Sequence, residues 1–551
     1  MIHKKNASLS KKRKELYTQR VLFAVWGVDN KNDSLYQNWY LPLKKMVGEV
    51  ILFDAGQEYF RKGKERMNAE FLATLKKMQP DYLFLNLMYD EFELSTLQQI
   101  QDIAPQTKVV NLFSDDDWRF ESFTRFYGLF VDYSITTHDL RKEYKKDGID
   151  RATFFIAANC DHFKPLKEKK IYDVVFFGKP NPSRVELMEL LIKKGVTFHL
   201  WGEGWERYPQ FKKYYHGYLA ADQLLKVINQ SKIVLGFTMG GYGKPQIKGR
   251  PFEVAACRSF SLVEYYEKYL NFFKEGKDIV MFKGTEELVK KIQYYLKNEK
   301  EREKIANAAY LKVINYHNQP REIEKFLLQT LDHRPIQKTL PKIKGKYMVI
   351  SSKDVLKSRE TLQKELGDID YVTFSTHSKS HPLRYYFQAY ALEKSGKDIC
   401  CCDYYVSKPF IKNYLLFKSE VASQKLSPEE FTSCIDLSQI MLRKEYLLSN
   451  LEQWQVQQGI PLIEKENIAF IAIPLITLSK LKTQNQKILE NAFQMKFLDR
   501  LYSLYKGKRM VLSAYPYALF LTACLQDKFI FNTLRNALKD PKKLAKLKEK
   551  S

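Results

Sequence analysis

The stretch YDVVFFG at residues 172–178 is an apolar run that ends in glycine, and it decides the fold. Such a run is typical of a strand that is buried on both faces of a parallel sheet and is followed by a tight turn. A helical pattern follows at 184–194, and a second strand pattern, TFHLWG at residues 197–202, again ends in glycine. Strands that alternate with helices predict a doubly wound α/β unit with a parallel sheet.

The same alternation extends in both directions from this stretch. Further strands are predicted at 21–27, 50–54, 81–86, 108–113, 133–137, 233–237, 261–263 and 278–282. Further helices are predicted at 38–46, 68–78, 220–230, 285–297 and 301–315. The sequence therefore predicts two similar α/β units in tandem, with a ligand cleft between them, beyond the carboxyl ends of their strands.

These patterns divide the 551 residues into four predicted segments. A basic extension covers 1–20, a first Rossmann-like domain covers 21–165, and a second covers 166–335. A further α/β or α+β domain is predicted over 342–551. Its predicted strands and helices lie at 346–350, 383–395, 468–473, 485–505 and 509–512, ahead of a lysine-rich tail.

The charge and hydropathy of the chain restrict its partners and its location. The formal net charge of +26 indicates an anionic partner: nucleotide phosphates, lipid phosphates, an anionic membrane face or nucleic acid. No run of about eighteen apolar residues occurs, and residues 1–20 do not resemble a signal peptide. We expect a cytoplasmic protein whose basic tail allows peripheral contact with the inner membrane face. The seven cysteines show no CxxC pair or zinc spacing, so reduced thiols are expected.

Several groups that could bind an anion lie close together just after the strand at 233–237. They are two glycines of a loop and three cations, namely Gly241, Gly243, Lys244, Lys248 and Arg250. Glycines let backbone N–H groups approach an anion closely, and the cations and a helix start add positive charge. Glu253 adds a carboxylate that can accept hydrogen bonds from ribose hydroxyls. Together these groups predict a site for a diphosphate and a ribose; the alternative is a surface loop with solvated charges.

The segment KGRPFEVAAC at residues 248–257 resembles the donor-site signature of the CgeB-type (spore maturation protein B) family, whose members resemble GT-B glycosyltransferases. Residues 173–178 and 199–205 are similar to the strands that precede this signature, and the helices over 286–317 to its closing segment. The resemblance covers roughly 21–331. It implies a GT-B, hexosyltransferase-like enzyme that uses a UDP- or GDP-linked sugar as substrate, with no metal and no other cofactor.

Carried over residue by residue, the resemblance implies roles around the donor. Glu253 would hold the ribose hydroxyls, and Arg250 and Lys248 would meet the diphosphate. Gly178 would lie beside the diphosphate, and Gly217 and Tyr218 would lie near the base. Many retaining GT-B enzymes carry two glutamates eight positions apart, but Pro245 stands eight before Glu253, so the resemblance does not extend to that pair.

Candidates for the base that activates the acceptor follow two strands of the first domain. Asp115 or Asp117, after the fourth strand, could take a proton from an acceptor hydroxyl, and His138, after the fifth, is a rival. Consecutive aspartates cannot all face one metal ion, so no metal site is predicted here. The alternatives are helix-capping acids and a structural histidine.

The last domain carries a fainter resemblance. GKYMVISSKD at residues 345–354 is similar to the strand-to-acid segment of GT-A glycosyltransferases, but Ser351, Ser352 and Lys353 occupy most of the acid positions and leave Asp354. The resemblance implies a degenerate module that binds acceptor or partner; an unrelated α/β domain is the alternative.

Three functions are compatible with these features. The first is a glycosyltransferase that acts on a surface glycan, a protein or a lipid-linked acceptor. The second keeps the same fold and takes DNA as the acceptor, as phage enzymes that modify bases do, and the positive charge favours it. The third is a non-catalytic nucleotide-sugar binding or assembly protein, for which the proline at position 245 is the best argument.

Overall fold

The computed structural model of the chain describes residues 2–26, 34–88, 90–240, 245–375, 379–406, 415–417, 437–456, 460–461 and 464–478. Several predicted features lie outside these ranges, namely the helix at 485–505, the strand at 509–512, the lysine-rich tail, Gly241, Gly243 and Lys244. Within the described ranges the chain forms three successive units, each built around one sheet.

The first unit contains six strands: β1 (Arg20–Val25), β2 (Glu49–Asp54), β3 (Tyr82–Leu85), β4 (Lys108–Phe113), β5 (Tyr133–Thr136) and β6 (Ala152–Phe154). They lie in the order β2-β1-β3-β4-β5-β6, and every pairing is parallel. The central strands β3, β4 and β5 are buried along their whole length, as their apolar runs predict. The helices around this sheet are α1 (Ile2–Leu16), α2 (Leu41–Met46), α3 (Ala55–Lys62), α4 (Lys64–Met78), α5 (Leu94–Ile103), α6 (Arg125–Gly128) and α7 (Arg141–Lys146), with π-helical turns at Tyr36–Tyr40 and Phe120–Thr124.

The second unit contains five strands: β7 (Tyr172–Phe177), β8 (His199–Trp201), β9 (Ser231–Gly236), β10 (Ser261–Glu264) and β11 (Val280–Phe282). They lie in the order β11-β10-β9-β7-β8, again with parallel pairing throughout. The helices that follow these strands are α8 (Pro182–Lys193), α9 (Ala221–Asn229), α10 (Arg250–Ala256), α11 (Gly284–Lys297), α12 (Glu299–Tyr316) and α13 (Gln319–Thr330). Short 3-10 turns lie at Trp205–Arg207, Pro209–Phe211 and Glu267–Asn271.

The first two sheets share one strand order. Numbered within each unit, β2-β1-β3-β4-β5 and β8-β7-β9-β10-β11 both run 2-1-3-4-5. This is a doubly wound, Rossmann-like order, in which ligands bind at the carboxyl ends of the strands. The predicted fold class, two tandem Rossmann-like domains with a further C-terminal domain, is confirmed, and the tandem pair is the GT-B arrangement that the resemblance implies.

The last helix after the second sheet, α13, returns to the first unit. Ile323, Phe326 and Leu327 are buried in the same apolar cluster as the strands β1 and β3. The hydroxyl of Tyr82 lies 2.9 Å from that of Thr330 at the end of α13. The two Rossmann-like units are therefore joined by the chain between them and also by this helix.

The third unit has a mixed sheet, with strands β12 (Tyr347–Ile350), β13 (Tyr371–Phe374), β14 (Lys379–Ser380), β15 (Ile399–Val406), β16 (Leu415–Phe417), β17 (Ile440–Arg443) and β18 (Ile468–Leu478). Their order is β12-β13-β17-β15-β18-β14, with β16 beside β15. β17 runs antiparallel to both its neighbours, whereas β12 is parallel to β13 and β15 to β18. Its helices are α14 (Arg359–Leu366), α15 (Arg384–Ser395), α16 (Lys444–Ser449) and α17 (Leu451–Val456), with 3-10 turns at Asp354–Leu356, Leu437–Gln439 and Lys465–Asn467.

Asp354, the acid that the GT-A resemblance singles out, has local partners. Its carboxylate accepts a hydrogen bond from the backbone N–H of Ser351 at 2.6 Å and forms an ion pair with Lys357 at 2.9 Å. These contacts hold the turn after β12 and lower the pKa of Asp354, with the Lys357 hydrogen bond as the larger cause. In the structure this acid acts as a turn-capping group.

An apolar interface joins the third unit to the first. The ring of Phe387 on α15 packs against Phe126 and Phe130, with centroids 5.0 Å and 6.3 Å away. Beside it, the buried carboxylate of Asp147 forms ion pairs with Arg125 and Lys394, each at 2.9 Å. The aromatic rings bury a shared core, and the ion pairs connect α6, the end of α7 and α15.

His317, which follows α12, makes the second unit sensitive to acid. Its ring lies 5.4 Å from that of Phe252 and 5.5 Å from that of Phe272. Burial, with a smaller effect of Lys312, lowers the pKa of His317 from 6.5 to about 4. Between these values the unfolded chain binds a proton that the folded chain does not, so stability decreases as the pH falls.

We expect the thermal midpoint to fall by several degrees between about pH 7 and about pH 5. His199 and His216 add to this effect, because burial lowers the pKa of both side chains. Replacement of His317 by phenylalanine should flatten the pH dependence, since the new ring cannot take up a proton. Calorimetry at a series of pH values measures the effect, with the exposed His333→Gln as the control. An unchanged slope in His317→Phe would contradict the assignment.

Candidate functional site

The start of α10 presents the cation and the carboxylate that the sequence predicts for the donor. Pro251 occupies the first turn, where its missing N–H costs no helical hydrogen bond. Nη1 of Arg250 donates to Oε2 of Glu253 at 2.6 Å, and both side chains are partly exposed. The guanidinium of Arg250 also lies 5.7 Å from the ring centroid of Phe177, at the end of β7. The structure therefore places the predicted diphosphate and ribose contacts side by side.

Lys248 is connected to the first unit through a glutamine. Its ammonium donates to Oε1 of Gln246, and Nε2 of Gln246 donates to Oδ1 of Asp117 at 2.6 Å. Burial lowers the pKa of Lys248, and the negative charges of Asp115 and Asp117 oppose that shift. An anion bound beside this ammonium would replace part of the solvation that burial removes. These hydrogen bonds connect the two Rossmann-like units beside the predicted cleft.

Arg184 is a third cation at this site, and the sequence analysis assigned it no role. It lies in the first turn of α8, just after β7, and its Nη2 donates to the carbonyl of Met239 at 3.1 Å. Its Nε is buried and makes no hydrogen bond to the described residues. Burial lowers the pKa of Arg184, and the charge of Glu264 opposes this shift. An arginine in the first turn of a helix that follows a glycine-ended strand is the signal that could have identified it.

Two glycine positions hold the turns after β7 and β8 close together. A Cβ on Gly202, whose φ is +136°, would lie only 2.3 Å from the carbonyl oxygen of Gly178. The same carbonyl accepts a hydrogen bond from the indole of Trp205 at 2.7 Å. The N–H of Gly202 donates to the carbonyl of Gly217 at 2.9 Å, next to Tyr218. Gly178 and Gly217 thus both lie beside Gly202. Tyr218, at 59% exposure, is available to a ligand there.

On the opposite side of the cleft, the acids after β4 face in different directions. Asp115 is exposed and has a left-handed φ of +51°, whereas Asp116 is completely buried. Oδ1 of Asp116 lies 3.3 Å from Nδ1 of His138, and Oδ2 accepts a hydrogen bond from the hydroxyl of Tyr144 at 3.2 Å. Burial raises the pKa of Asp116, and the hydrogen bond with His138 opposes that shift.

This arrangement distinguishes the three acceptor-side candidates from the sequence. Asp117 is bonded to Gln246, and Asp115 points to solvent. His138 is paired with Asp116, the one acid of the run that the sequence analysis passed over, and its Nε2 is buried without a hydrogen bond to any described residue. That Asp115, Asp117 or His138 acts as the base remains a prediction.

Within the described ranges, no three His, Cys, Asp or Glu side chains are grouped so that they could hold a metal ion. No helix in those ranges combines the length and apolar character that a bilayer crossing requires.

Comparison with known families concerns the second unit. Residues 184–327 match the family model described as "Glycosyl transferase-like", and this range includes Arg184, Lys248, Arg250 and Glu253. The match supports a glycosyltransferase that uses a nucleotide-sugar donor.

Several solved structures are similar at low identity. Anabaena Alr3699/HepE in complex with UDP-glucose is 13% identical, with 57% of this chain and 99% of that chain covered and a TM-score of 0.43. Sucrose-phosphate synthase from Thermosynechococcus elongatus is 11% identical, with the same coverage and a TM-score of 0.43. The DNA modifying enzyme beta-glucosyltransferase is 13% identical, covers 57% of this chain and 99% of its own, and has a TM-score of 0.39. No curated protein sequence matches the chain.

Proposed function

We propose that this chain is a GT-B glycosyltransferase of CgeB-like type, which transfers a hexosyl group from a UDP- or GDP-linked donor. The observation that carries the proposal is the grouping of Arg184, Lys248 and Arg250 with Glu253 at the carboxyl ends of the second sheet. This group faces the acids of the first unit across the cleft, through the contact between Gln246 and Asp117.

The charges at this group suit a nucleoside diphosphate. Three cations with one carboxylate leave a positive balance, which attracts a diphosphate and stabilises it further as the sugar leaves. Nε of Arg184, which has no hydrogen-bond partner among the described residues, offers a donor, and Arg250 offers a fork that matches two phosphate oxygens. With Arg250 turned to the phosphates, Glu253 is free to accept hydrogen bonds from the ribose hydroxyls. Cations of the protein thus do the work for which other transferases use a metal ion, and we propose no resident cofactor.

For the acceptor we propose a surface glycan, a protein or a lipid-linked glycan, with the protein held peripherally at an anionic membrane face. The net charge of +26 supports an anionic surface near the acceptor. DNA is the alternative acceptor that the same charge favours. A gel-shift assay with duplex DNA separates the two, because specific use of DNA requires binding with a steep salt dependence.

We expect UDP or GDP to raise the thermal midpoint of the wild-type chain, because a ligand that binds only the folded state stabilises it. Glu253→Ala should abolish this shift and keep the ligand-free midpoint close to that of the wild type, since the side chain is partly exposed. The exposed Glu267→Ala, in the same unit, is the matched control. A normal shift in Glu253→Ala would disprove the ribose role.

Turnover separates the transferase from a non-catalytic binding protein. The bound nucleotide sugar should be converted slowly to free nucleoside diphosphate, with water as the acceptor. A chain that binds the nucleotide sugar and never releases nucleoside diphosphate, even with cell-envelope extract as acceptor source, would favour the binding protein.

A further inference from the structure

We infer that Asp116 is a positioning residue that presents His138 to the acceptor, so that His138 takes the acceptor's proton and the sugar is transferred in one displacement with inversion at its anomeric carbon. This inference rests on the proposed function, because it assigns the acceptor side of the same cleft. The local sequence gave Asp116 no distinction from its two neighbours.

The surroundings of His138 indicate which ring nitrogen carries the proton and which carries the lone pair. Nδ1 faces Oδ1 of Asp116 at 3.3 Å and Oδ1 of Asp117 at 3.7 Å. A nitrogen that faces carboxylates carries the proton, so the lone pair of the neutral ring lies on Nε2. Nε2 is buried and has no hydrogen-bond partner among the described residues. A buried ring nitrogen without a partner is costly, and a substrate hydroxyl would satisfy it.

Asp116 is held so that it cannot turn away from the histidine. Its side chain is fully buried, and its second oxygen accepts a hydrogen bond from Tyr144 at 3.2 Å. Tyr144 is itself fixed between Phe120 and Phe113, with ring centroids 5.0 Å and 6.0 Å away. The carboxylate therefore holds one tautomer of His138 and stabilises the positive ring after proton transfer.

Hydrogen bonds connect the pair with a cation of the proposed donor site. Asp117, next to Asp116 in the chain, is bonded to Gln246, and Gln246 accepts a hydrogen bond from Lys248. The groups that face His138 are thus Asp116 and Asp117 from the loop after β4, Thr137 from its own segment, and Tyr144 through Asp116. An acceptor between His138 and Lys248 would lie between the base and the leaving diphosphate.

The transfer step balances without any further reagent. The acceptor oxygen forms a bond to the anomeric carbon of the sugar, and its hydrogen moves to Nε2 of His138. The bond between that carbon and the phosphate oxygen breaks, and its electron pair leaves with the nucleoside diphosphate, which Lys248 and Arg250 stabilise. A single displacement from the face opposite the leaving group inverts the configuration.

The test uses the full chain and the hydrolysis of a nucleotide sugar, with water as the acceptor. The probe is whichever of UDP-glucose, UDP-N-acetylglucosamine and GDP-mannose shifts the thermal midpoint most. His138→Ala should lower kcat by about 10²-fold or more and change the KM for the donor by less than about twofold. Added imidazole should restore part of the lost rate in His138→Ala, and less of it when Asp116→Asn is also present. Proton NMR should show that the first sugar released has the inverted configuration.

The matched control is His162→Ala. Nε2 of His162 is also buried without a hydrogen bond to a described residue, but among the described residues His162 forms no ion pair with a carboxylate. If His138→Ala does not fold, His138→Gln keeps a side chain of similar length and tests the same loss of the base. Normal turnover in a folded variant, a retained configuration, or loss of nucleotide binding together with activity would overturn the inference. If no nucleotide shifts the midpoint of the wild-type chain, it is the proposed function that fails.

Discussion

Replacing Arg250 by alanine is expected to lower kcat/KM for donor turnover by about 10²–10³-fold. The guanidinium stands at the start of α10, and after it turns from Glu253 it can pair with two oxygens of the leaving diphosphate. Charge grows on that diphosphate as the bond to the sugar breaks, so most of the loss should appear in kcat. Steady-state release of nucleoside diphosphate measures the effect.

Two further variants separate charge from geometry. Arg250→Lys keeps the charge but loses the fork, so we expect it to lie between the wild type and Arg250→Ala. Lys226→Ala removes an exposed cation from α9 in the same unit and should change kcat/KM by less than about twofold. If Arg250→Ala behaves like Lys226→Ala, the diphosphate does not bind at the start of α10.

The loss of Arg250 also leaves Glu253 without its ion-pair partner. A double variant, Arg250→Ala with Glu253→Gln, shows whether an unpaired carboxylate adds to the defect. If repulsion between Glu253 and the diphosphate contributes, the double variant should bind nucleoside diphosphate more tightly than Arg250→Ala alone.

Local sequence patterns were enough to propose the donor-binding groups, because Lys248, Arg250 and Glu253 lie within six positions of one another. They could not predict contacts between distant parts of the chain. Gln246 and Asp117 are separated by 129 positions, and their hydrogen bond depends on how the two units meet. A local signal for Arg184 was present in the first turn of α8, but its hydrogen bond to the carbonyl of Met239 in another loop was not predictable.

The direction of a side chain in an irregular loop was also beyond the sequence. Alternation along a strand assigns residues to faces, but the strand β4 ends at Phe113. Beyond it, the left-handed backbone of Asp115 turns the chain, so that Asp115 is exposed and Asp116 is buried against His138. The choice among three adjacent acids therefore required the backbone.

The strands of both Rossmann-like sheets were predictable because they are buried on both faces and their sequences are continuously apolar. The packing partner of α13 was not predictable. An amphipathic pattern shows that a helix covers an apolar core, but it does not show which core the helix covers. Phe326 and Leu327 cover the sheet of the first unit, although α13 follows the second sheet in the chain.

Replacing Phe387 by alanine is expected to destabilise the chain by about 3–5 kcal/mol. The side chain is completely buried between the third unit and the first, against Phe126 and Phe130, so its loss leaves a cavity in a shared core. Because this core couples the two units, we expect a lower midpoint in chemical denaturation and a transition that separates into two steps. Tyr347→Ala, which removes an aromatic ring at 39% exposure from the edge strand β12, should cost about 1 kcal/mol or less.

The same substitution should also reduce turnover under conditions in which the variant remains folded. The π-helical turn at Phe120–Thr124 and α6 follow the acids after β4, and the third unit packs against both through β18 and α15. A looser interface would let Phe120 move, and with it Tyr144 and Asp116, which hold the ring of His138. We therefore expect kcat to fall while the affinity for UDP or GDP, measured by calorimetry, stays unchanged, because the proposed nucleotide contacts lie in the second unit. A variant with lower stability and unchanged kcat would show that the third unit stabilises the first without supporting the acceptor side of the cleft.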